Sequence, residues 1–167
     1  MANIFLLSDT HFGHAGMLTF VSHTGFPVRK FSCVEEMDEH IVDMWNKTVR
    51  AHDHVYHLGD VAMRKSALGI VKRLSGRKRL VAGNHDIFAL KDYLACGFEK
   101  ICGVRVLDNW LMTHIPVHPE SLGRFRGNVH GHIHDRPSYG ERYVNVSVEA
   151  INYTPVALES LRTRNNV

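Results

Sequence analysis

Long apolar runs are missing from this sequence. The longest, such as Ile4 to Leu7, are a few residues, whereas a spanning helix needs about 20 and a signal-peptide core about 7 to 15. A membrane partner is therefore not expected. The chain opens almost directly on a strand-like segment, without a basic lead-in or small-residue cleavage site, and a cytoplasmic protein is expected. Cysteine is scarce: Cys33, Cys96 and Cys102 are an odd number without zinc-site spacing, which excludes a disulfide framework and reads as reduced thiols. Charge of one sign is also lacking. Twenty basic and 17 acidic residues leave a net charge of +3, which favours anions weakly and falls short of a dedicated nucleic-acid binder.

What is present is the balance of a packed protein. An apolar share of 44% with 22% charged residues over 167 residues predicts one domain, residues 1–167, with a sizeable core. The unusual number is 13 histidines against 17 carboxylates, with no polyhistidine tract. Their positions decide the reading.

Asn3 to Leu7 reads as a buried strand ending abruptly at Ser8-Asp9. Ser32 and Glu35 form a capping-box pattern ahead of a helix from Cys33 to about Val49, whose stripe is Val34, Met37, Ile41, Met44 and Trp45. Further strands are expected over His54 to Leu58, Arg79 to Ala82, Gly103 to Leu107, Trp110 to Thr113, Asn128 to His130 and Tyr143 to Val148. Helices are expected over Lys65 to Leu74 and Ile87 to Ala95, and Asp108-Asn109 signals a hairpin turn. Strands alternating with helices, then mostly strands, indicate an α/β sheet with antiparallel additions.

Five of these runs end at Asp9, Asp60, Asn84, His114 and His132 or their neighbours, at the strand ends where open α/β sheets bind ligands. The blocks are Asp9-Thr10-His11, Gly59-Asp60, Gly83-Asn84-His85-Asp86, His114 and Gly131-His132-Ile133-His134. Carboxylate, imidazole and amide donors without thiolate suit Mn²⁺, Fe, Zn²⁺ or Ni²⁺. In an extended segment Asp9 and His11 point the same way, as do His132 and His134. Gly59, Gly83 and Gly131 fit sharp strand exits with close backbone approach.

The ordered series D-x-H, G-D, G-N-H-D, H, G-H-x-H, running from Asp9 to His134, resembles the calcineurin-like metallophosphoesterase superfamily. Five short blocks in order are far more specific than any one of them. The resemblance implies a four-layer α/β/β/α sandwich with mixed sheets and two divalent transition metal ions, Mn²⁺ foremost. It implies that Asp9, His11 and His134 hold one ion, that Asn84, His114 and His132 hold the other, and that Asp60 bridges them, with His85 free as the catalytic acid. The implied activity is phosphoester hydrolysis by metal-activated hydroxide.

Protein phosphatases of that superfamily continue Gly-Asp-x-x with Asp-Arg-Gly, whereas this chain continues Met63-Arg64-Lys65. A phosphodiesterase on small or accessible diesters, such as a nucleotide or cyclic nucleotide, is therefore expected ahead of a protein phosphatase. A phosphomonoesterase, a nuclease or a noncatalytic interaction module are the alternatives. His14, Arg64, Arg124 and Arg126 are candidates for holding substrate, guanidinium groups pairing well with phosphate oxygens. Asp86 either supports the site by hydrogen bonding or caps the next helix. The 12–30 stretch is long enough to become a binding wall, with a short helix near Met17 to Val21 as the plainer expectation. His52, His54, His57, His118 and His130 read as ordinary surface or strand residues, and His23 and His40 stay unassigned.

Overall fold

The structure, a computed structural model, describes residues 2–22 and 25–162, so His23 lies outside the described residues. In chain order its strands are β1 (Ile4–Leu7), β2 (His54–His57), β3 (Arg77–Val81), β4 (Phe98–Cys102), β5 (Arg105–Leu107), β6 (Trp110–Met112), β7 (Gly127–His130), β8 (Tyr143–Asn145) and β9 (Val156–Ala157). They form a five-stranded sheet, β4-β3-β2-β1-β9, and a four-stranded sheet, β5-β6-β7-β8. Both are mixed. β1 to β4 run parallel with β9 antiparallel, and β6 to β8 run parallel with β5 antiparallel.

Side-chain alternation explains why β1 is apolar throughout. Phe5 and Leu7 pack on one face with Val55, Leu80 and the helical layer, whereas Leu6 packs on the other with Tyr56, Trp110, Met112 and Val129 of the second sheet. The helical layer is α1 (Val34–Thr48), a 3-10 helix over Lys65–Arg73 and α2 (Leu90–Ala95). The C-terminal α3 (Leu158–Arg162) adds Leu158 and Leu161 to the core between the sheets. The outer face of the second sheet is covered by a 3-10 turn, Pro119–Leu122, whose Leu122 joins Leu111 and Tyr143. Among the described residues no longer helix lies there.

The two sheets meet at one rim. Ser8 bridges Ser147 in parallel; the Ser8 amide donates to Val146 O at 2.8 Å, and the Val148 amide to Ser8 O at 3.1 Å. The expected strand over Tyr143 to Val148 thus ends at Asn145, after which the chain crosses to β1.

Other departures have local causes. The α1 cap is Cys33, whose sulfur accepts from the Glu36 amide at 3.5 Å, while Glu36 Oε2 accepts from the Ser32 amide at 2.7 Å. The reciprocal pattern is present one residue later than Ser32 and Glu35 predict. Over Lys65–Arg73 the winding is 3-10, with Gly69 and a β-branched pair at its centre disfavouring regular α-turns. α2 starts at Leu90 rather than Ile87, because the Asp86 carboxylate serves the amides of Asp60, Val61 and Gly83 instead of capping a helix. β4 escapes the apolar pattern because Glu99 and Lys100 sit in its middle, as charges do on an edge strand. At the expected hairpin, Asp108 and Asn109 take φ of 51° and 64° between β5 and β6, the left-handed pair that a type I′ turn requires.

Candidate metal centre

Parallel pairing sends the chain off every central strand at the same rim, and each exit carries a polar side chain. Asp9 follows β1, Asp60 follows β2, Asn84 follows β3, His114 follows β6 and His132 follows β7. Asp9, His11, Asp60, His132 and His134 have φ of 61°, 48°, 59°, 70° and 52°. The extended alternation expected for the Asp-x-His and His-x-His pairs is therefore absent; left-handed residues aim them instead. Such dihedrals cost non-glycine residues on the order of 1–3 kcal/mol each and persist where surrounding contacts over-determine them, commonly at functional sites. Those contacts include the Asp9 amide donating to Gly59 O at 2.9 Å and the His11 amide to Asp60 O at 3.0 Å.

Two triads result. Ligand atoms of Asp9, His11 and His134 lie within 4.8 Å of one another, as do those of Asp60, His114 and His132. Asp60 Oδ2 stands 3.6 Å from His11 Nε2 and 3.3 Å from His114 Nε2, so this carboxylate lies between the triads. Asn84 Oδ1 is 2.9 Å from His114 Nε2 and joins the second. His85 is exposed; its ring centroid lies 5.6 Å from that of His11, and its amide donates to Asp60 Oδ1 at 2.9 Å.

The donor set fits cations. Asp9 Oδ1 and both ring nitrogens of His11 are buried without a hydrogen-bond partner, and orphaned buried polar atoms are costly unless something else binds them. Imidazole orientation is fixed from behind. His114 Nδ1 donates to Leu58 O at 2.7 Å, leaving Nε2 to face Asp60, and His134 Nδ1 donates to Glu149 Oε1 at 3.1 Å. Metal-ligating histidines are commonly held in this way. A Cβ on Gly83 would overlap Asp60 Oδ1, and one on Gly131 would overlap Ser8 Oγ and Asp9 Oδ2. These two glycines serve close approach, while Gly59, at φ 100°, supplies the unusual dihedral.

Burial and the Arg29 charge push His11 down to about 2. Burial pushes Asp9 up, more than the neighbouring imidazoles offset. Burial opposes the charge on Asp60, but the His114 hydrogen bond and charge outweigh it and hold Asp60 at about 2. For His114 and His134 burial is likewise outweighed, by Asp60 and Asp9 for the first and by Glu149 and Asp9 for the second, so both lie above the usual imidazole value.

Of the substrate candidates, His14 and Arg64 stand near the cluster. The His14 ring is 5.7 Å from that of His11, and its pKa is lowered by burial and then by the charges of Arg29, His85 and Arg64. Arg124 and Arg126 do not join it. Their backbones bond Asn109 at the hairpin turn, the opposite pole of the sheet, because the connection between parallel β6 and β7 must carry the chain back there.

Sequence reading missed Arg29 and Glu149. Arg29, 1% exposed, donates from Nε to Glu149 Oε1 at 2.6 Å, from Nη1 to Thr10 O at 2.8 Å and from Nη2 to Asp9 O. No spacing marks these residues, which lie 120 positions apart. Two cavities open on the cluster. One of about 630 Å³ is walled by His132, His134, Met17, Phe20, Ile115 and Tyr139 among others. The other, about 300 Å³, is walled by Gly83, Asn84, Gly103, Thr113, His114 and the same Ile115.

No protein-family model matches the chain. Among solved structures, the protein of unknown function AQ665 from Aquifex aeolicus aligns with a TM-score of 0.76 at 25% identity, covering 98% of this chain and 99% of that one. Nuclease MPE of Pseudomonas putida aligns with a TM-score of 0.52 at 19% identity over 78% of this chain and 61% of that one, a likeness of fold alone. The Gene 66 protein of Mycobacterium phage D29 is 33% identical over 91 residues, 52% of this chain and 41% of that protein. The uncharacterized protein MJ1445 of Methanocaldococcus jannaschii is 34% identical over 174 aligned positions, 95% of this chain and 89% of that protein. With that identity sustained across nearly both lengths, the chain belongs to the same family as MJ1445.

Proposed function

We propose that this protein is a dinuclear metal-dependent phosphoester hydrolase of the calcineurin-like metallophosphoesterase superfamily, acting on phosphodiesters in the cytoplasm. The observation that supports it is the convergence of two Asp/His triads about Asp60 at one rim. In this reading the paired sheets and helical layer correspond to three layers of that superfamily's sandwich, and the cover around Pro119–Leu122 to the fourth. Asp9, His11 and His134 would hold one cation, Asn84, His114 and His132 the other, and Asp60 both; the family resemblance implies Mn²⁺, and the mixed imidazole, amide and carboxylate donors also suit Fe, Zn²⁺ or Ni²⁺. Such cations supply Lewis acidity and a water acidified towards neutral pH.

The chain's own residues do the rest. Asp60 places an anion between two positive charges that would otherwise repel. His85, exposed beside the cluster, donates a proton to the departing ester oxygen. Arg64 and His14 face the incoming phosphate from the loops after β2 and β1. The two cavities favour a diester, because a phosphorus bearing two organic arms can send one past His134 and the other past Asn84. The test is metal analysis of the purified protein together with turnover of bis-p-nitrophenyl phosphate and p-nitrophenyl phosphate in Mn²⁺. About two ions per chain with faster diester cleavage is expected. Absence of bound transition metal and of hydrolysis would overturn the reading.

A further inference from the structure

Away from the metal cluster, three cations gather where the sandwich lies open. β4 and β5 are edge strands of their respective sheets. Parallel register sets Tyr56 beside Arg79 and Arg79 beside Lys100. Paired residues of neighbouring strands share a face, here the one that Tyr56 turns into the core between the sheets. Together with Arg105 at the start of β5, and with Cys102 and Val104, they wall a cavity of about 210 Å³. Among the described residues it shares no wall with either cavity at the cluster.

This cavity holds donors without acceptors. The Arg79 guanidinium lies over the Tyr56 ring, 5.3 Å from its centroid, and Nη1 donates to the Tyr56 hydroxyl at 2.7 Å. Tyr56 is 2% exposed, so the pair is held in place by the core. Arg79 Nε is buried without a hydrogen-bond partner, and a hydroxyl that has accepted still has its own proton to donate. An unpaired buried donor is costly. Charge is equally unbalanced. Among the described residues Arg79, Lys100 and Arg105 form no ion pair, and the nearby carboxylate of Glu99 is held by Arg77 Nε at 2.8 Å. Like charges around one small cleft repel, so an anion there would satisfy the donors and relieve the repulsion. A carboxylate brings a single charge to three cations. A phosphate group brings nearly two and several acceptor oxygens, which suits a guanidinium fork flanked by further cations. The volume is below the roughly 300 Å³ at which sites for organic ligands begin, so a phosphoryl group enters and a large body does not.

We propose that this cavity is a phosphate site separate from the metal centre, taking inorganic phosphate or the phosphoryl end of a small monoester. It does not rest on the hydrolase reading. Calorimetric titration of the full chain, as purified and again after a chelator has removed metal, tests it with inorganic phosphate, glycerol phosphate and acetate as probes. One of the two phosphates should bind the metal-stripped protein about tenfold or more tightly than acetate, and the tighter of them names the source. Lys100→Gln and Arg105→Gln, both at exposed positions, should each weaken that binding by about tenfold, the worth of one hydrogen bond to a charged group. Metal content should stay at the wild-type level in both. Phosphate binding that vanishes with the metal, acetate binding as tight as phosphate, or full phosphate affinity in both variants would overturn the site.

Discussion

At the scale of single residues, the site separates groups that hold charge from groups that use it. Asp60 touches both triads, so Asp60→Asn should lower metal content below that of the wild type, read by elemental analysis after dialysis. His85 meets the cluster through its ring's proximity to His11 and through its backbone amide, which donates to Asp60, and among the described residues its side chain is hydrogen-bonded to neither triad. His85→Ala should therefore keep its metal and lose about 10²–10⁴-fold in turnover, the usual contribution of a positioned proton donor. Wild-type turnover in that variant at saturating Mn²⁺ would remove His85 from the mechanism. Asp38 acts at this scale too. Burial raises it from 3.8 to about 6 although it accepts from the Gly13 amide. A raised carboxyl stabilises the fold when protonated, and that contribution fades as pH climbs from 3.8 through about 6. Asp38→Asn should therefore gain stability relative to wild type between about pH 4 and pH 7, as urea unfolding at both ends would report.

At the scale of elements, strand exits position the candidate ligands and Arg29 supports them from behind. Arg29 ties the Thr10 and Asp9 carbonyls to Glu149, and Glu149 orients His134. Glu149→Gln keeps the shape and one acceptor but loses the charge, and should weaken metal binding by about 10–100-fold in a chelator competition. Arg29→Met instead strands a buried carboxylate and should cost about 3–5 kcal/mol in chemical denaturation. The sequence made the exits legible, because apolar runs ending in Asp, Asn or His are visible without coordinates. It did not show how the side chains are aimed. The alternation argument for Asp9 and His11 assumes extended backbone, whereas hydrogen bonds to Gly59 and Asp60 hold both in left-handed conformations.

At the scale of the whole molecule, two sheets joined through Ser8 and Ser147 bring candidate ligands from opposite halves of the chain to one rim. Cation binding should thus couple to global stability, and stripping metal with a chelator should lower the thermal midpoint. It should also depend on pH. His114 and His134 hold protons above the usual 6.5 in the cation-free protein, so metal affinity should fall as pH drops through neutrality, each lost ligand competing with a proton. A flat affinity profile across that range would contradict their assignment as ligands.

The amino-acid order by itself determined the α/β class, the turn at Asp108-Asn109 and the polar residues at the strand ends, because periodicity, turn chemistry and ligand type are local properties. Tertiary structure alone decided that Arg29 and Glu149 stand behind His134, that Arg124 and Arg126 lie at the far pole, and that two cavities share Ile115. Those relations depend on which strands pair and where the chain crosses between sheets, and pairing distant segments leaves no mark in the spacing of residues along the chain.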